Sequence, residues 1–220
     1  METLEEARDT IFKELTSNDA EVRSDYLKHF EGGAKAFAEY MADSFVKWRA
    51  FDSHIKDDER AHVSALVYIA ITLHVLLMKL LLSGQTIAAG NLFRQVIESI
   101  ALALLCAGKD TGVLQRFMQN KYSSKNAVRD VLRHYEKLSL KGDALDALKD
   151  SQEFYHMYSH VTKMTIAVGM SFSQSGALYV GASFDDGKLE QYKREVDGRV
   201  SLAKMFPNFV EGVTQNVGKW

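Results

Sequence analysis

Arg94 and Glu98, four residues apart, sit in the middle of "GQTIAAGNLFRQVIESIALALLCAG", the stretch from Gly84 to Gly108 that is otherwise almost wholly apolar. On a helix, Asn91, Arg94 and Glu98 fall within about 60° of one another, and Ile87, Ala101 and Leu105 extend the same stripe as apolar residues on either side. A solvated stripe would run the length of the helix, so an island of charge predicts side chains turned into the protein or a cleft. Spaced i and i+4, the two can pair. Two readings stand side by side. The pair can be structural, fixing how the helix packs while desolvation cancels most of its attraction. Alternatively Arg94 presents its fork of donors to a phosphate or carboxylate and Glu98 orients it.

A second group of polar side chains lies in "SQEFYHMYSHVTK", which places Glu153, His156, His160 and Lys163 along one side of a helix. Phe154, Met157, Tyr158, Val161 and Thr165 lie on the other side. Two histidines one turn apart can share a ligand or a metal, and a polar face opposite a core stripe is the structural alternative. The segment runs directly into a loop rich in glycine and serine.

"SGQTIAAGNLFRQVIESIALAL", then "FYHMYSHVTK", then "FDDGKLEQYKREVDGRVSLA" together resemble a family of uncharacterised bacterial all-helical proteins related to the HEPN superfamily, over Val63 to Phe209. The matching positions are Arg94, Glu98, Tyr158, Ser159, His160, Tyr192 and Arg199. The resemblance implies an all-helical fold. Many HEPN domains are metal-independent ribonucleases with an Arg, a polar residue, three spacers and a His, and "RDVLRH", Arg129 to His134, fits that order. In such chemistry the histidine moves a proton at the ribose 2′-hydroxyl and the arginine stabilises charge on the phosphate. With Ser124 expected as N-cap, the motif falls in mid-helix, where side chains five residues apart diverge by about 140°.

A third chemistry is a carboxylate-bridged pair of metal ions. Glu59 with His62, and Glu153 with His156, match the Glu-x-x-His spacing of ferritin-like bundles, with Glu39 and Glu98 available as single carboxylates. Glu59 lies in the polar "KDDERAH", a helix start, whereas such ligands project into the middle of a bundle.

The elements that must position these residues are helices. Periodic apolar spacing dominates, alternating strand patterns are nearly absent, and there is one proline, Pro207. Thr3 to about Leu15 reads as a first helix, and Asn18 or Asp19 as the cap of a long second one. A third starts behind Asp57 and Asp58 and runs to Ser83, where Gly84 turns the chain into the Arg94 helix, giving a central antiparallel hairpin. A helix over Ser124 to Leu140, a short one at "KGDALDALKD" and another from Ser151 to about Val168 are expected next. "GMSFSQSGALYVGASFDDG" is the long loop, with a short strand expected at Ala177 to Val180. Asp185 or Asp186 caps a helix through Phe206, and Pro207 opens a last one. The expectation is one all-α domain over 1–220. Its N-terminal helices to residue 56 pack on a central hairpin at 57–108, with further helices over 109–168, the loop at 169–187 and C-terminal helices from 188 to 220.

Composition sets the outer limits. The chain is 46% hydrophobic and 25% charged. Ordinary globular proteins have such values, which excludes extensive disorder. Its 27 Lys plus Arg against 29 Asp plus Glu leave a net charge of −2. An overall basic footprint is therefore lacking, while a local one stays open. The single cysteine, Cys106, sits among leucines and alanines and reads as core in a reducing compartment; "METLEEARDT" lacks a secretory pattern, so the expected location is cytoplasmic. His74, Lys79, Arg94 and Glu98 interrupt the apolar hairpin, at about 2.5–3.5 kcal/mol per ion in a bilayer, which favours a soluble core hairpin and no membrane partner. Function is expected in binding a nucleotide, RNA or other anion at a cleft with Arg94, Glu98 and His160, with Asn91, His156, Tyr158, Ser159 and Tyr192 nearby. The alternatives are a metal-independent ribonuclease, a dimetal protein and an interaction module without a ligand. No cofactor is expected, and the resemblance implies a homodimer, since helical proteins of that group associate through helix faces.

Overall fold

The computed structural model describes residues 3–140, 146, 148–151 and 162–220. Eight α-helices are described in full: α1 Leu4–Thr16, α2 Ala20–Asp52, α3 Asp58–Leu82, α4 Thr86–Ala107, α5 Val113–Met118, α6 Ala127–His134, α7 Lys163–Gly169 and α8 Leu189–Val217.

Each early helix begins where the sequence offers acceptors for its first amides. Thr3 and Glu6 form a reciprocal capping box on α1, with Thr3 N donating to Glu6 Oε2 at 2.7 Å and Glu6 N to Thr3 Oγ1 at 3.2 Å. Asp57 accepts from Arg60 N at 2.9 Å to cap α3, whose first turn carries Asp58 and Glu59. At α2 the cap position is Asp19, in the left-handed region at φ 54° and without a side-chain cap bond; Asn18 Oδ1 receives Ala20 N instead, at 3.0 Å.

The α3–α4 hairpin is antiparallel and forms the centre of an all-α domain. Its turn depends on Gly84, at φ 78°, where an added Cβ would meet the Ser183 backbone at 2.7 Å. α4 is the core element. Every residue from Ile100 to Ala107 is buried, because α3 packs on one side of it while α6 and α8 cover the others. Each fully buried Leu, Ile or Phe there contributes roughly 1.5–3 kcal/mol of transfer free energy. Cys106 is part of this core, and burial pushes its thiol up to about 12, so it remains a protonated apolar residue at neutral pH. α2 lies along α8 and α3 and closes the bundle. By length and hydropathy α3 and α4 could each cross a bilayer; 44% and 56% of their most apolar windows are buried inside the bundle.

The C-terminal half departs from the expected elements. α8 is one 29-residue helix with Pro207 inside it, rather than two helices meeting there. The buried ring forfeits one backbone hydrogen bond, and apolar contacts on both sides carry the helix through. The helix expected over Ser124 to Leu140 is a 3-10 turn at Ser124–Asn126 followed by α6, and it ends in turns at Tyr135 to Ser139, where Ser139 has φ 56°. Thr162 is an extended N-cap with its own capping box, so α7 starts afresh and the expected helix to Val168 does not run through. The expected strand at Ala177 to Val180 is a single antiparallel bridge between Met170 and Leu178; no strand occurs among the described residues.

Candidate functional site

The Arg94–Glu98 pair forms as the spacing requires, Arg94 Nε donating to Glu98 Oε1 at 2.9 Å. Glu98 Oε2 also accepts from Ser124 Oγ at 3.4 Å, which ties α4 to the turn that opens α6. The two side chains are 31% and 14% exposed, so the pair is at the edge of the core rather than sealed within it. Toward the C-terminus Ala101 and Leu105 are fully buried, whereas toward the N-terminus Asn91 is exposed and Ile87 is 40% exposed. The charged patch is therefore closed at one end and open to water at the other, which corrects the expectation of an island shut in on both sides. His156, Tyr158, Ser159 and His160, expected near Arg94, and Glu153, expected with His156 as a metal ligand, lie outside the described residues.

Ser124 leads into a cluster of cations. Asp130, in the first turn of α6, accepts from Tyr122 Oη at 2.9 Å and from Arg129 Nε at 3.2 Å. Arg133 Nη1 lies 3.5 Å from the same carboxylate, and the Arg116 guanidinium sits 5.3 Å over the Tyr122 ring. Three guanidinium groups thus gather around Asp130 and its tyrosine partner. The carboxylate is 15% exposed, while Arg129 and Arg133 are more than half exposed. Burial, with the Asp130 carboxylate beside it, pushes the Tyr122 hydroxyl far up and keeps it a donor. Residues 109–137 hold seven Lys and Arg against three Asp and Glu, a local charge of +4 in a chain of net −2. Arg129 lies in the first turn of α6 and not in mid-helix as expected, because the helix starts at Ala127; His134 is its last residue. The two still diverge by about 140° around the helix axis.

Two deeply buried charges lie on α8. Glu195 and Arg199, one turn apart on α8, form an ion pair at 3% and 0% exposure, and Arg199 Nη1 also donates to the Glu195 carbonyl at 2.7 Å. The Arg199 guanidinium lies 5.7 Å over the Phe93 ring of α4. His74 of α3 approaches the Arg199 carbonyl with Nε2 at 3.2 Å and stacks on Phe206 at 4.9 Å. Burial, and less strongly the Arg199 charge, drive His74 down to about 3, so it is neutral at pH 7. Tyr192 is buried against Tyr26 and Phe184, with ring centroids 4.9 Å and 5.5 Å away. It is a core aromatic in this fold. Glu195 is absent from the expected site residues. Its signal is nonetheless present in "YKREVDGRVSLAKMF", where Glu195 and Arg199 share the helical face of Tyr192, Val196, Ala203 and Phe206.

The glycine- and serine-rich loop is organised by Asp185. This buried carboxylate accepts from Phe172 N at 2.6 Å, Gly187 N at 2.9 Å, Ser173 Oγ at 2.5 Å and Ser171 Oγ at 3.2 Å. Burial alone would raise its pKa; the hydrogen bonds outweigh burial and hold it well below the usual carboxylate range. Lys188 donates to Val168 O at 2.7 Å and lies 5.3 Å over both Phe172 and Tyr179. Burial lowers its pKa against the opposing pull of Asp185.

The proposed metal ligands are not brought together where they are described. Glu59 and His62 lie in the first turns of α3, His62 Nδ1 is 2.7 Å from Asp58 O, Glu39 is exposed on α2, and Glu98 is engaged by Arg94. Among the described residues no three Asp, Glu, His or Cys side chains are grouped to hold an ion. An apolar groove of about 620 Å³ separates α4 from α8, lined by Ile97, Leu104, Leu138, Leu148, Met205 and Phe209. Its α4 wall begins at Ile97, one turn from Arg94.

Fold and site together define an all-α bundle whose central hairpin carries a half-buried ion pair beside a cationic flank. No family model, no curated protein and no solved structure matches the chain.

Proposed function

We propose that this chain, as a HEPN-like helical bundle, binds a phosphate-bearing ligand, an RNA segment or a nucleotide, across Arg94 and the cationic flank of α5 and α6. One observation carries the reading: Arg116, Arg129 and Arg133 gather around Tyr122 and the single carboxylate of Asp130 and leave an excess of positive charge at the surface. Planar guanidinium groups match phosphate oxygens two at a time, and Asp130 and Tyr122 hold them in place as a carboxylate holds a binding arginine. Tyr135 and Met118, both partly exposed on the same segment, supply apolar surface on which a base can stack.

The test is fluorescence anisotropy of a labelled single-stranded oligoribonucleotide across a salt series. Contact with three or four phosphates predicts a slope of log K against log salt of about −2 to −3, or a loss of roughly 20- to 50-fold between about 50 and 200 mM. Arg129→Gln and Arg133→Gln each reduce the slope by about 0.7. Absence of salt-dependent binding to RNA or to nucleotides would end this proposal. If the RNA is cut, and cutting is lost in both Arg129→Ala and His134→Ala with folding retained, the ribonuclease reading replaces it; loss in Arg94→Ala and His160→Ala instead places cleavage at the other cluster.

The groove favours a second reading, in which Arg94 holds the anionic head of a small amphipathic molecule and the α4–α8 groove takes its apolar body. Displacement of an environment-sensitive dye by a fatty acid, abolished in Met205→Glu and weakened in Arg94→Gln, distinguishes that ligand from RNA.

A further inference from the structure

We infer that the chain forms a two-fold dimer in which the α1 helix of each copy lies along the outer face of α3 of the other. This interface is independent of the anion site. The first helix, α1, buries none of its residues. Its Leu4, Ile11 and Leu15 nonetheless share one face with Phe12 at its edge, all between 53% and 89% exposed, and Arg8 on that face pairs with Glu5 and Asp9. Among the described residues its side chains tie it to the body of its own chain through one hydrogen bond, from Ala182 N to Glu14 Oε1 at 3.0 Å. The helix is 13 residues long. Isolated helices this short are marginal in water and draw their stability from packing.

The matching surface is on α3. Tyr68, Ile69, Val75 and Leu76 recur at helical spacing on its outward side, each 42% to 46% exposed, with Ala65 exposed one turn before them and Thr72 exposed between them. Trp48 extends the patch, its ring centroid 4.7 Å from that of Tyr68 and 5.3 Å from that of the exposed Phe45. From Ala65 to Leu76 the stripe runs about 17 Å, against about 20 Å for α1. The charges are complementary as well. From Ala61 to Leu82 the only Asp, Glu, Lys or Arg residue is Lys79, a cation, whereas α1 carries Glu5, Glu6, Asp9 and Glu14 against Arg8 and Lys13.

A second copy is the occupant that satisfies both faces at once. Each chain offers one α1 and one α3 stripe, so a two-fold axis pairs both and leaves no open end. At about 200 Å² for a large side chain, the eight residues named on the two stripes expose roughly 900 Å² per chain, so reciprocal docking covers up to roughly 1,800 Å², the size of a stable interface. An anionic membrane surface is disfavoured by the net negative charge of α1.

Sedimentation equilibrium on the full chain at about 50 µM, above the micromolar limit of interfaces this size, reads the outcome. Wild type sediments as a dimer. The double substitution Ile11→Glu with Leu15→Glu, and separately Val75→Glu, both at exposed positions that preserve the helical circular dichroism, yield monomers with affinity reduced at least about 100-fold. Mixing the two variants restores a heterodimer, because one intact α1 and one intact α3 stripe then meet. A monomeric wild type, dimers that survive both variants, a mixture that stays monomeric, or wild type that partitions onto neutral phosphatidylcholine vesicles would each overturn the assignment.

Discussion

Removing the guanidinium from the buried pair on α8 tests how the core is held. Arg199→Met keeps much of the side-chain volume but leaves the Glu195 carboxylate in a site 3% exposed, enclosed by α3, α4 and α8. A buried charge stripped of its partner costs about 3–5 kcal/mol, and loss of the contact over Phe93 adds about 0.5–2 kcal/mol. For a domain of this size each kcal/mol lowers Tm by about 2–4 °C, so a fall on the order of 10 °C or more is expected. Glu195→Gln leaves Arg199 charged and costs a similar amount. The double variant Glu195→Gln with Arg199→Met removes both charges, and its stability returns to within about 1–2 kcal/mol of wild type, because the attraction of a buried pair mostly offsets its own desolvation. Urea denaturation followed by circular dichroism gives all four stabilities. A single substitution that costs less than about 1 kcal/mol, as for a surface pair, would refute the reasoning; so would a double variant as unstable as the sum of the singles.

Three more predictions concern pH and the loop. His74 is held neutral with its pKa near 3 against an ordinary value of 6.5, so only the unfolded chain takes up that proton between these values. Stability is flat above the ordinary value and falls below it, by ~3 kcal/mol at a pH of about 4.5, a slope that His74→Phe removes. The carboxyl of Asp185 is depressed, so its contribution is present above its unfolded value near 3.8 and is lost as pH falls below that. Asp185→Asn at neutral pH removes the hub of residues 171–187, and limited proteolysis then cuts that loop several times faster while α4 amides keep their protection from hydrogen exchange.

The helical class, the α3–α4 hairpin and the core position of Cys106 follow from periodic apolar spacing in long segments, where the signal repeats over many turns. Pro207 misleads because local preference places proline in a first turn, and tertiary burial of Phe206, Pro207 and Val210 overrides that preference. α6 is shorter than its pattern for a related reason. The polar run after Ser124 supports a helix by propensity, but within α6 only Ala127, Val128 and Val131 are buried, and the chain turns at Tyr135. The Arg94–Glu98 pairing is legible from i,i+4 spacing, but its exposure is not, since a sequence stripe does not reveal that Ile87 lies at an open edge. The arginines around Asp130 come from α5 and α6 and converge through the 119–126 turn, a juxtaposition that no single-helix pattern records.

The most direct test of the anion-binding account is to watch the arginine side chains themselves. In a heteronuclear NMR titration with a short single-stranded oligoribonucleotide, the Nε–Hε signals of Arg116, Arg129 and Arg133 are predicted to shift and saturate together, with Arg94 following, while those of Arg8 and Arg49 stay in place. Uniform small shifts of all exposed arginines, or shifts confined to residues outside 94–137, would contradict it.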